Sequence, residues 1–241
     1  MKSLRSLTVL IALAGSIQFA SGQASPSPAP AAGSSARPEV YHVHFNRAAP
    51  GKAAALATFL KTPAPDAAMA GHSVLLQHED GAGWDYVNVQ DMGTKATVEA
   101  SGNPRGPSMK GMSEWHTDTF ANGPAWAEFA KEMGLDDAGK SKSAESVYVV
   151  STYRALPGKE DALEKFLSAP PAGDTAVGNV LMQHLEGDSW RFLAIARYKS
   201  WQDFASSEAA AVAETIKGKG HWFDLRDMIS LHEDTLTFRV Q

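Results

Sequence analysis

The chain carries the same pattern twice, and this limits its folds more than any other feature. Val40–Leu60 (VYHVHFNRAAPGKAAALATFL) lies over Val147–Leu167 (VYVVSTYRALPGKEDALEKFL) without a gap, and twelve of the 21 positions are identical. Ser73–Gln90 (SVLLQHEDGAGWDYVNVQ) then falls over Asn179–Ala196 (NVLMQHLEGDSWRFLAIA), keeping Val-Leu-x-Gln-His and the tryptophans Trp84 and Trp190. Finally, His116-Thr117-Asp118-Thr119 corresponds to His232-Glu233-Asp234-Thr235. Blocks that recur in one order indicate two copies of one structural unit.

Each copy reads as β-α-β-β-α-β. Tyr41–Arg47 and Tyr148–Arg154 hold the β-branched and aromatic residues that suit strands. Pro50-Gly51 and Pro157-Gly158 break those strands, and apolar stripes at helical spacing follow: Leu56, Phe59 and Leu60, then Leu163, Phe166 and Leu167. Strands near 73–79 and 84–90 are joined around Asp80-Gly81 by a loop longer than two residues, and Glu186-Gly187 takes that place in the second copy. Ser200–Lys217 is a clear second helix, whereas Thr94–Gly111 carries Gly102, Pro104, Gly106 and Pro107 and is expected to be mostly loop. Gly123–Leu135 reads as a linking helix with Pro124 in its first turn.

These junctions resemble the dimeric α/β-barrel superfamily. The resemblance rests on the strand–Pro-Gly-Lys–helix junction with Phe59/Leu60 or Phe166/Leu167, and on Trp201-x-x-Phe204 opening the second helix. It spans roughly residues 39–241. It implies an α+β fold in which two ferredoxin-like repeats pack their sheets into one barrel, here a pseudo-dimer within one chain. The superfamily includes cofactor-free monooxygenases, haem-binding enzymes and stress-response proteins, so the resemblance implies a fold and leaves the chemistry open.

The expected organisation is residues 1–22 as a signal peptide, 23–38 as a tether, 39–122 as the first repeat, 123–146 as a linking helix and loop, and 147–241 as the second repeat. Lys2 and Arg5 precede an apolar stretch, Leu7 to Ile17, and Ala20-Ser21-Gly22 suits cleavage before Gln23. That stretch is too short to span ~30 Å of hydrocarbon as a helix. A periplasmic or secreted location is therefore expected, with no transmembrane segment in the mature chain. Fourteen of the sixteen residues from Gln23 to Pro38 are Ala, Ser, Pro or Gly, a composition with almost nothing to bury. The chain has no Cys, which excludes disulfides, thiolate metal sites and a cysteine nucleophile. Its 22 basic and 27 acidic residues give a formal charge of −5 and offer no basic field for nucleic acid.

The eight histidines carry the chemical interest. His78 matches His184, and His116 matches His232. Barrel closure sets the second strand of one copy beside the fourth strand of the other. On that basis two His/Asp seams are expected, His78 with His232/Asp234 and His184 with His116/Asp118. Each seam could supply an aspartate-oriented general base or ligand, or serve only to pin the two edges together; the structural role is the simpler one. Asymmetry is the better guide to function. His42 and His44 stand where the second copy has Val149 and Ser151, and a His-x-His pair on a strand projects two imidazoles to one side. Such a pair lines a polar pocket, or binds a metal if a third ligand is supplied. The Gly-rich stretch 93–111 lacks phosphate-loop spacing, and no serine sits in a nucleophile elbow. Gly220-His221-Trp222 could sit at a barrel mouth, with packing at a helix start the simpler role.

Three functions are compatible with these residues: an exported barrel holding a small apolar or aromatic ligand between its sheets, an oxygenase-like or haem-dependent oxidoreductase using the barrel histidines, or a ligand-free structural or stress-related protein. Haem or a divalent metal is compatible with the histidines, and neither is required. The sequence does not decide whether the chain is an enzyme.

Overall fold

In β1 (Glu39–Ala48), Tyr41, Val43 and Phe45 are buried on one face and His42 and His44 take the other, the period-two alternation of a strand. The structure is a computed structural model. It describes residues 37–62, 69, 71–101, 108–135, 145–169, 171 and 173–240. The expected signal peptide, and the tether up to residue 36, lie outside the described residues. After β1 come α1 (Ala53–Leu60), β2 (Ser73–Asp80), β3 (Tyr86–Thr94), α2 (Lys95–Ser101), β4 (Ser113–Gly123) and α3 (Trp126–Glu132). There follow β5 (Val147–Ala155), α4 (Glu160–Leu167), β6 (Gly178–Glu186), β7 (Phe192–Tyr198), α5 (Trp201–Ile216), α6 (His221–Arg226) and β8 (Ile229–Arg239). No helix of the described residues is long and apolar enough to cross a membrane.

The strands close into one antiparallel barrel in the order β1-β3-β2-β8-β5-β7-β6-β4. Within residues 39–123 the spatial order is β4-β1-β3-β2, and β8-β5-β7-β6 repeats it in residues 147–239. The two halves meet at β2–β8 and β4–β6, which is the expected pairing of second with fourth strands. Closure leaves no unpaired edge strand.

Inward-facing Tyr41, Val43, Val74, Leu76, Val87, Val89, Val150, Val180, Met182, Leu193 and Ile195 pack into one core cluster. Fully burying a side chain of this size contributes about 1.5–3 kcal/mol. α3 closes one end of the barrel. Phe129 packs on Tyr41 with ring centroids 5.2 Å apart, and Tyr41 donates to the Pro124 carbonyl at 2.8 Å. From the second half, Tyr148 donates to the Met133 carbonyl at 3.0 Å. Near Phe45 and Val150 the barrel is open, and Trp84 and Trp190 line that mouth. Outside the barrel, α1 packs through Leu56 onto Leu75 and Tyr86, and α4 packs through Leu163 and Leu167 onto Phe192 and Tyr153.

The halves differ in their second helices. α5 runs for 16 residues from a Ser200 cap whose hydroxyl accepts the Asp203 N–H. The stretch expected to be mostly loop forms the seven-residue α2 before Gly102. Thr94 Oγ1 accepts the Thr97 N–H there, and no Gly or Pro interrupts residues 95–101. α6 begins after Gly220, with His221 stacked on Phe166 at 4.1 Å, so Gly220-His221-Trp222 is a helix start.

Candidate functional site: a histidine cluster outside the barrel and an aromatic mouth

β1 and β4 pair so that His44 lies opposite Asp118, His42 opposite Phe120, and Asn46 opposite His116. Residues opposite one another share a face. This brings His42, His44, His116 and Asp118 together on the outer surface of the first half's sheet, away from the barrel core. The carboxylate is their common partner. His42 Nε2 donates to Asp118 Oδ1 at 2.8 Å, His116 Nε2 lies 3.5 Å from Oδ2, and His44 Nε2 lies 3.7 Å from Oδ1. The rings pack as well, His42 stacked on His44 with centroids 5.4 Å apart and His44 edge-on to His116 at 5.1 Å.

Burial sets the electrostatics. His44 is 8% exposed, and its Nε2 has no hydrogen-bond partner among the described residues. Desolvation pushes its pKa down to about 4, with Asp118 opposing the shift only in part, so the ring is neutral at pH 7. The hydrogen bond from His42 holds the Asp118 carboxyl below the usual carboxylate range, and the neighbouring imidazoles add to this. A neutral imidazole therefore stands beside an ionised carboxylate, with His116 and Asp118 open to solvent.

The second half builds a different arrangement at the matching positions. Ser151 Oγ donates to Asp234 Oδ1 at 2.5 Å, and His232 Nε2 donates to the same oxygen at 2.9 Å. The serine hydroxyl faces the carboxylate rather than the imidazole. His232 stacks on Tyr153 at 4.7 Å, with Trp222 of α6 at 6.2 Å.

The expected seams exist as strand pairs, but their histidines and aspartates do not meet across them. The register sets His78 opposite Thr237 and His184 opposite Ala121, beyond Asp234 and Asp118 along β8 and β4. His78 instead meets Trp84 edge-on at 5.8 Å, and His184 meets Trp190 at 5.4 Å. The Nε2 atoms of His78 and His184 are buried without a hydrogen-bond partner among the described residues. Asp118 and Asp234 are served by histidines of their own halves. Barrel register is set by shear, which the order of strands leaves undetermined.

One cluster was not anticipated. His72 Nδ1 lies 2.9 Å from Oδ2 of the fully buried Asp91, and its ring stacks on Trp126 at 4.4 Å. The positions matching this pair in the second copy are Gly178 and Arg197, so no repeat signal marked it.

The open mouth holds a cavity of about 150 Å³. Phe45, Trp84, Trp115, Val150, Trp190 and Leu231 supply apolar walls, and Thr117, Thr152, Ser189 and Glu233 are among its polar groups. Trp115 and His116 are neighbours on β4 and face opposite ways, so the cavity and the histidine cluster stand on opposite sides of one sheet.

Haem does not fit these cavities. Neither this cavity nor a second one of about 340 Å³, beside Glu128 and Glu132, is lined by a histidine that could hold its iron.

No family model matches the sequence, and no curated protein matches it. Solved structures do share the fold. A monooxygenase-like protein from Fusobacterium nucleatum aligns with a TM-score of 0.56 at 6% identity, covering 85% of this chain and 93% of its own. An anthrone oxidase-like protein aligns at 0.52 and 11% identity, covering 86% and 92%. A monooxygenase-like protein from Lactobacillus acidophilus aligns at 0.50 and 8%, covering 84% and 94%. The fold thus resembles that of dimeric α/β-barrel proteins, with an eight-stranded antiparallel sheet and six helices among the described residues.

Proposed function

We propose that this chain is an exported barrel, built from two ferredoxin-like repeats, that binds a small aromatic or apolar molecule at its open mouth. The observation that carries this reading is the aromatic cavity between the two halves. A volume of about 150 Å³ accepts a single aromatic ring. Trp84 and Trp190 offer ring faces from both halves, and the threonine and serine hydroxyls and the carboxylate of Glu233 give an incoming hydroxyl or amine a partner.

Tryptophan fluorescence tests it. Titration with single-ring phenols and anilines is expected to give saturable quenching, which Trp115→Ala weakens and the cavity-filling Thr152→Phe abolishes. Trp201→Ala, remote from the mouth, leaves it intact. Quenching that never saturates, or that survives Thr152→Phe, overturns the reading. Export is tested separately, by fractionating cells that express the full chain and sequencing the mature N-terminus, expected at Gln23.

A second reading rests on the histidine cluster: an oxygenase-like enzyme whose substrate lies on the outer face of β1 and β4. The monooxygenase-like and anthrone oxidase-like names of the structural neighbours favour it. His42→Ala and His116→Ala would then remove oxygen consumption while leaving quenching at the mouth unchanged.

A further inference from the structure

The outer-face cluster has the composition and spacing of a metal site. We propose that His44 Nε2, His116 Nε2 and one carboxylate oxygen of Asp118 bind a divalent first-row transition ion, with His42 positioning the carboxylate.

The three donor atoms all lie within 4.8 Å of one another. Asp118 Oδ2 lies 3.5 Å from His116 Nε2 and Asp118 Oδ1 lies 3.7 Å from His44 Nε2, against an edge of about 3.4 Å for a tetrahedron with bonds of ~2.1 Å, so the carboxylate must turn to present one oxygen to both nitrogens. Small side-chain adjustments would bring all three donors onto one ion. His44 is an independent pointer. Its Nε2 is buried and lacks a hydrogen-bond partner among the described residues although it faces Asp118. A buried polar atom left without a partner is costly, and an ion removes that cost.

Two nitrogens and one carboxylate oxygen select among metals. Imidazole suits zinc, iron, copper and nickel, whereas magnesium and calcium take oxygen donors, so the site should discriminate against them. Three protein ligands leave the solvent side open for water or another small ligand, as at catalytic rather than structural centres. His42, hydrogen-bonded to Asp118 Oδ1, fixes the carboxylate as outer partners of metal ligands do. The second half cannot form this site, because Val149 and Ser151 replace His42 and His44.

The test uses tag-free purified protein stripped with chelator, dialysed against Zn²⁺ or Co²⁺ and examined by calorimetry and by Co²⁺ absorption. One equivalent is expected, with visible bands of four- or five-coordinate Co²⁺, and no competition from excess Mg²⁺. His116→Ala and Asp118→Ala, both solvent-exposed positions, should weaken binding at least tenfold while circular dichroism stays unchanged. His42→Ala should weaken it less, and His232→Ala should not change it. Absence of a stoichiometric site in the wild-type protein, or retention of full affinity in His116→Ala and Asp118→Ala, overturns the proposal. Because the readout is metal binding, failure here leaves the aromatic mouth untouched, and the converse also holds.

Discussion

Gly187 of the second half sits on the backbone of Asp118 in the first: a β-carbon at Gly187 would lie 2.2 Å from the Asp118 carbonyl oxygen. Its counterpart Gly81 packs the same way on Asp234, at 2.4 Å. Both have positive φ, 118° and 127°, where side chains are strained. The adjoining residues hydrogen-bond across the same joints, Asp188 N–H to Thr119 Oγ1 at 3.1 Å and Ala82 N–H to Thr235 Oγ1 at 3.3 Å. Each half thus braces the aspartate of the other through backbone.

Substitution at these glycines separates scaffold from site. Gly187→Ala and Gly81→Ala are each expected to lower unfolding free energy by more than about 1 kcal/mol in urea titrations, from the positive φ and the clash together. Only Gly187→Ala displaces Asp118, so it alone should also weaken binding of the Co²⁺ probe. Equal effects of both variants on binding would contradict the placement of the site in the first half.

Arg37 tests how firmly the start of the described chain is held. Its guanidinium bonds Glu164 at 2.6 Å and the Leu181 carbonyl at 3.1 Å, with both charged side chains largely buried. Arg37→Met leaves Glu164 unpaired and should cost about 3 kcal/mol. Adding Glu164→Leu should recover much of that loss. A simple sum of the two single losses would rule out their coupling.

The orphaned imidazoles at the seams make an opposite forecast. Since Nε2 of His78 and of His184 has no partner among the described residues, His184→Phe or His78→Phe keeps a ring against tryptophan and removes a buried polar atom. Thermal unfolding should occur at the same temperature as in the parent or above it. A loss of more than about 2 kcal/mol would mean that these nitrogens do have partners.

Acid sensitivity should arise in part at His221. Burial against Phe166 lowers its pKa below the ordinary value of 6.5. The unfolded chain then binds the proton more readily, so stability from the neutral ring is fully present above about pH 6.5 and lost as pH falls through the lowered folded value. Chelator-treated His221→Gln should show a shallower decline of unfolding free energy over that interval than the parent does. Parallel curves would remove His221 as the cause.

Strand positions were legible because paired blocks such as Val40–Leu60 and Val147–Leu167 carry the same alternation and the same Pro-Gly break, and the order of the strands followed from the resemblance to ferredoxin-like barrels. His42 and His44 could be put on one face for the same reason. That His116 and Asp118 join them was not legible, because the expected assignment gave these residues to a seam with His184. Which residues face each other across a closing joint depends on barrel shear, and no single strand encodes it. The α2 helix was hidden by the glycines and prolines that begin at Gly102, just past its end. The aromatic mouth was not legible from the recurrence of Trp84 and Trp190, which pointed to core packing, and Trp115 has no counterpart in the second copy.

Closure of both joints within one polypeptide has a thermodynamic consequence. Where two separate subunits complete a barrel, dilution pulls them apart and takes with it any site that depends on the joint. Here β2–β8 and β4–β6 are joined through the chain itself. The brace of Gly187 on Asp118, and the mouth between Trp84 and Trp190, therefore persist at any protein concentration.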